Sequence, residues 1–147
     1  MRDKDWWINM VDDKKISKTV EKFFTRDLQR DLMLIQSAGS VSAVRFDGMP
    51  GGSNGNGSER KMIAYAEAKH TLADIKSAFD LMDDDEAEVL NDLYLKNWSA
   101  TKTAMELCMT SRTVYRLRKR AMLNFAYAFQ AGVLIDRAAG DSEAKAI

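Results

Sequence analysis

WSATKTAMELCMTSRTVYRLRKRAMLNFA, residues 98–126, reads as two helices joined by a tight turn. Ser99 can cap a short helix over about 100–107, and Thr110 or Ser111 can cap a longer one after it, because their side-chain oxygens accept from unpaired first-turn N–H groups. Cys108-Met109-Thr110 is the turn. Ala104 is small enough to allow close helix crossing, and Leu107, Met109, Val114 and Leu117 supply apolar contacts between the two helices. A short helix, a three- or four-residue turn and a longer helix make the helix-turn-helix plan, expected at about 99–129.

At about 100° per residue, the second helix separates by chemistry. Val114, Leu117, Ala121 and Phe125 share one face, and Arg112, Arg116 and Lys119 lie opposite. Tyr115 falls on one flank, with Thr113 and Arg120 on the other. The front of this helix is the end that a recognition helix places in the major groove. An arginine there can read a guanine edge bidentately, worth about 1–3 kcal/mol of discrimination. The candidate DNA-binding residues are therefore Lys102, Thr110, Ser111, Arg112, Thr113, Tyr115, Arg116, Lys119 and Arg120. Among them Tyr115, Lys119 and Arg120 suit phosphates, and Lys102 offers a backbone contact from the first helix. Arg118 points near the buried face and is expected to pair with Glu106 or with an acid of the 83–92 helix.

Charge supports a polyanionic partner. The 147 residues sum to zero net charge, but the distribution is uneven. Residues 61–98 hold nine acids against four Lys or Arg, and residues 99–135 hold six Lys or Arg against one acid, Glu106. No acid occurs between Leu107 and Ile135. A segment cleared of acids is what a duplex requires.

Upstream, Ile16, Val20, Phe23, Phe24, Leu28, Leu32 and Ile35 recur at steps of three and four, which predicts a helix over 13–38 that stops at Gly39. Trp6, Trp7 and Ile8 either pack back on it or meet a partner. Six of the eight glycines and the single proline, Pro50, fall in residues 39–60, expected to be a linker. Within it, Gly51–Ser58 should be a flexible coil spanning roughly 16 Å. Helical spacing returns over 60–82. Asp83 to Asp85 then open a helix bearing Val89, Leu90, Leu93 and Tyr94, where acids suit the unpaired N–H groups and the dipole. The expected fold class is all-α: an N-terminal helical arm (1–38), the glycine-rich linker (39–60), a helical DNA-binding domain (61–135) and a frayed tail (136–147). Beyond Arg120 the second helix is apolar nearly all round and needs cover on more than one side. A second copy, making a homodimer, or the N-terminal helix within an ordinary intrachain core would supply it.

Several classes are disfavoured. One cysteine and one histidine leave no disulfide framework, no zinc-ligand set and little scope for a catalytic triad. DDDE lacks the spacing and glycine of a calcium loop, and GGSNGNG lacks the Lys-Ser/Thr ending of a phosphate loop. No run reaches 18 apolar residues and the start carries acids, so neither a membrane span nor a signal peptide is expected. The expectation is an intracellular, non-enzymatic protein without a cofactor.

LNDLYLKNWSATKTAMELCMTSRTVYRLRKRAML (90–123) resembles region four of bacterial sigma factors. The shared pattern is a Tyr-containing turn, an Ala-bearing helix, a Ser/Thr-Arg-Thr-Val start and an Arg-Ala pair. The layout over about residues 13–130, with its FDGMPGGSNG loop and RAMLNFAYAF tail, is similar to the ArpU/RinA-type phage transcriptional regulators. This resemblance implies activation of late packaging and lysis genes in the cytoplasm of a bacterial host. It also implies coupling to RNA polymerase through the acidic 83–92 helix or the N-terminal arm, although intramolecular pairing with the basic helix competes for the acids. A phage small terminase subunit is the alternative, since those proteins also use helix-turn-helix domains but form rings. A module whose basic face meets an acidic protein is a further possibility. Cys108 departs from the pattern: it stands where such turns usually carry glycine, so either the turn is reshaped or a costly positive φ is accepted.

Overall fold

Asp12 opens the first described helix by accepting a hydrogen bond from the Lys14 N–H at 3.3 Å. The computed structural model describes the backbone of residues 12–45 and 55–146, and Trp6, Trp7, Ile8 and Pro50 lie outside them. The elements are α1 (Asp13–Lys22), a π-helical turn (Phe23–Asp27), α2 (Leu28–Arg45), α3 (Gly55–Leu81), α4 (Asp84–Leu90), a second π-helical turn (Asn91–Leu95), α5 (Ala100–Glu106), α6 (Ser111–Ala128), a 3-10 turn (Phe129–Gly132) and α7 (Val133–Ala146). The described residues are all-α, with no strand among them.

Gly39 does not end the N-terminal helix, which runs on to Arg45, and α3 begins at Gly55 rather than near 60. The expected linker thus contracts, and Gly55–Ser58 is helical instead of coil. A glycine inside a helix costs about 1 kcal/mol relative to alanine but removes no hydrogen bond, and no proline interrupts residues 39–45.

One core spans what the sequence divides into arm and domain. Ile16, Val20, Phe23, Phe24 and Leu28 are buried against Ile75, Leu90, Tyr94, Phe125, Phe129, Leu134 and Ile135. Aromatic rings form its centre. Phe24 stacks on Tyr94 at 4.8 Å and meets Phe125 at 4.7 Å, and Phe125 stacks on Phe129 at 5.1 Å. Each such pair adds about 0.5–1.5 kcal/mol beyond area burial. Burial in this stack raises the Tyr94 hydroxyl above its ordinary pKa.

The two π turns face each other across one side chain. A π turn widens the hydrogen-bond step and leaves a carbonyl without its helical partner. Gln29 Nε2 donates to Phe24 O at 3.1 Å in the first turn and to Tyr94 O at 2.9 Å in the second. Asn97 in turn donates to Gln29 Oε1 at 3.3 Å.

The longer helix, expected to reach about 129, ends at Ala128, and the chain turns a corner there. Gln130 (φ 46°) and Ala131 (φ 55°) are left-handed, and Gly132 (φ 83°) follows. Two non-glycine residues there cost roughly 1–2 kcal/mol each. The break folds the chain back, so Leu134, Ile135 and Ala138 enter the core beside Phe129. Gln130 Nε2 donates to Asp74 Oδ2 at 2.7 Å and holds the corner. The expected frayed tail is helical through Ala146, and Arg137 pairs with Asp27 at 3.2 Å. Most of the cover required by the apolar part of α6 is supplied within the chain, by α1 and α7, while Tyr127 stays 47% exposed.

Candidate nucleic-acid interface

Ser99 Oγ accepts from the Lys102 N–H at 3.0 Å and starts α5, and Thr110 Oγ1 accepts from the Thr113 N–H at 3.1 Å and starts α6. Between them Cys108 takes φ 56°, so the turn keeps its left-handed residue despite the Cβ. The Met109 N–H donates back to Ala104 O at 2.9 Å and closes the end of α5. Val89, Ala104 and Val114 are buried together, with Leu93, Ala100, Leu107, Met109 and Leu117 packed around them. This second, smaller core fixes α5 and α6 against α4, so both helices and the turn between them rest on the acidic helix before them.

The outward face of α6 carries the expected cations. Arg112, Arg116 and Lys119 are exposed and have no ion-pair partner among the described residues. Tyr115 is 54% exposed. Ser111 is half-buried. The hydroxyls of Thr110 and Thr113 lie 3.0 Å apart and hydrogen-bond each other, so both serve the cap. Lys102 is exposed on α5, with its ammonium 4.5 Å from the Trp98 ring centroid, and Lys96 approaches the same ring at 4.6 Å.

Both Arg118 and Arg120 are held by acids, Arg118 as expected of it but with a different partner. Arg118 pairs neither with Glu106 nor with the 83–92 helix: its Nη2 lies 3.7 Å from Glu21 Oε2 on α1. The helical wheel places Arg118 toward the core but cannot say which element lies there. Arg120, expected to be a phosphate contact, is instead held by Glu86 on α4. Its Nε and Nη2 donate to Glu86 Oε2 at 3.2 and 3.0 Å, and Asn124 donates to Oε1 at 2.7 Å. Glu86 is 1% exposed, so both carboxylate oxygens depend on these donors. The intramolecular pairing anticipated for the acidic helix thus runs through Glu86, while Asp83, Asp84 and Asp85 stay exposed.

Sequence reading passed over two features beside this surface. Trp98 anchors both Lys96 and Lys102, an arrangement visible only once the α5 start is folded. Lys14, Lys18 and Lys22 stand at i, i+4 and i+8 on α1, a spacing legible in the sequence but of no consequence until α1 is known to lie against α6.

No helix of the described residues is long and apolar enough to cross a membrane, and no three His, Cys, Asp or Glu side chains among them gather as a metal would need. Comparison with protein-family models, with curated proteins and with solved structures finds no match to this chain.

Proposed function

We propose that this chain is a sequence-specific, double-stranded-DNA-binding transcription regulator, of the phage late-gene kind its sequence resembles. It reads a major groove with the front of α6. The observation that carries this reading is the set of three exposed cations, Arg112, Arg116 and Lys119, on a helix with no acid of its own. Arg112 and Arg116 read base edges. Lys119, with Lys102 and Tyr115, holds phosphates. Arg120 serves the fold through Glu86, which removes it from the primary phosphate contacts.

Fluorescence anisotropy against fragments selected from the source genome tests the reading. Arg112→Ala with Arg116→Ala is expected to relax preference among fragments. Lys119→Ala should weaken all duplexes alike and flatten the dependence of log affinity on log salt by about one unit. Unchanged affinity in the triple variant would refute it. Particle mass in solution separates regulation from packaging, since a closed ring of eight or more copies belongs to a terminase-like assembly rather than to the homodimer that suits a regulator.

A further inference from the structure

We infer that α1 is a second DNA-backbone contact, its Lys14, Lys18 and Lys22 lying along the phosphate ridge beside the groove that α6 enters. The inference rests on the DNA-binding reading and adds a surface outside the helix-turn-helix.

Three observations support it. The first is chemical. The three lysines recur every four residues and drift by about 80° in total, so they form one stripe. That stripe lies away from Ile16, Val20 and Phe23, which face the core. All three lysines are exposed, and none has an ion-pair partner among the described residues.

The second is that most of the nearby acids are occupied. Asp12 caps the helix, Glu21 is paired with Arg118 and Asp27 with Arg137, while Asp13 stays exposed in the first turn. Glu21, the acid nearest the stripe on the helical wheel, is thereby neutralised.

The third is placement. Glu21 on α1 meets Arg118, and Phe23 and Phe24 of the π turn that follows meet Phe125 and Phe129, so the chain passes from α1 into its π turn in the same sense as α6 runs to its end. Lys18 and Lys14 precede Glu21 by about one and two turns and therefore lie toward the front of α6, the end that carries Arg112 and Arg116. Packed helices sit about 8–10 Å apart, and the major groove is about 12 Å wide. A helix beside the one in the groove thus comes over the groove wall, where the phosphates are. Ammonium groups on flexible stems suit that ridge as point charges.

The test uses the full chain and a mixed-sequence duplex, with affinity measured across salt concentrations. K14Q/K18Q/K22Q is expected to flatten the slope of log affinity against log salt by about two to three, at about 0.9 for each phosphate no longer neutralised. Its preference for a selected fragment over the mixed duplex should stay as in the wild type, and K14R/K18R/K22R should restore the slope. An unchanged slope in the glutamine variant, with Arg112→Ala/Arg116→Ala still weakening binding, overturns this inference and leaves the DNA-binding reading standing. That is also the result a stripe built for an acidic protein would give. An arginine variant as impaired as the glutamine one marks a structural loss and overturns it too. Failure of the wild type to bind any duplex overturns both readings.

Discussion

Cys108 carries the plainest conflict between a residue and its place. A side chain with a Cβ sits at φ 56°, exposed, in the turn that sets the angle between α5 and α6. Nothing packs on it that glycine would lose in quantity, and glycine enters this region without steric cost. Cys108→Gly should therefore raise stability by about 0.5–1 kcal/mol, the relief of the left-handed strain less the added freedom of the unfolded chain. A urea midpoint that moves upward without a change in slope checks it. Arg118 and Arg120 teach the complementary lesson at the same scale. Two positions apart, they turn to different sides of α6 and are held by acids 65 residues apart in the chain, Glu21 and Glu86.

Helices in this molecule are terminated by tertiary demand more than by local propensity. Gly39 leaves its helix intact, whereas Phe129–Gly132 breaks a run of good helix formers because Phe129, Leu134 and Ile135 gain burial by the reversal. Between elements, the Glu86–Arg120–Asn124 cluster joins α4 to α6 with a buried carboxylate. Its two ends are unequal. Arg120 is 61% exposed, so a variant without Glu86 returns that guanidinium to water. A variant without Arg120 strands a carboxylate that cannot reach water. Arg120→Met should accordingly cost about 3 kcal/mol, Glu86→Met less, and the double variant less than the sum. A double-mutant cycle by chemical denaturation measures this, and additive losses would contradict the pairing.

Across the whole molecule, one core ties the N-terminal helix to α6. Phe24 touches Tyr94 and Phe125 at once, which links the π turn after α1 to both the approach to α5 and the body of α6. Phe24→Ala should cost about 3–5 kcal/mol and lower a single transition for the entire chain. Circular dichroism and Trp98 fluorescence, with Trp6 and Trp7 replaced by Phe, should report the same midpoint. Two separate transitions would mean that the N-terminal helix folds on its own. The charge asymmetry of the sequence is also resolved at this scale. The acids of the 83–92 helix sit on the element that supports the basic helix, with Glu86 turned inward to Arg120 and Asp83 to Asp85 turned out.

The positive φ at Cys108 and the choice of Thr110 over Ser111 as cap were settled by the structure. The all-α class, the cap at Ser99 and the outward cations Arg112, Arg116 and Lys119 were legible in the residues alone. Each follows from local geometry: a 3.6-residue repeat fixes which side chains share a face, and capping and turn chemistry act within four residues. Four features were decided by the tertiary structure: the union of arm and domain in one core, the corner at Gly132, the helical end through Ala146 and the partners of Arg118 and Arg120. Periodicity tells a helix which face to bury but not against what. That choice depends on contacts between segments as much as a hundred residues apart, and those contacts exist only when the chain has closed on itself.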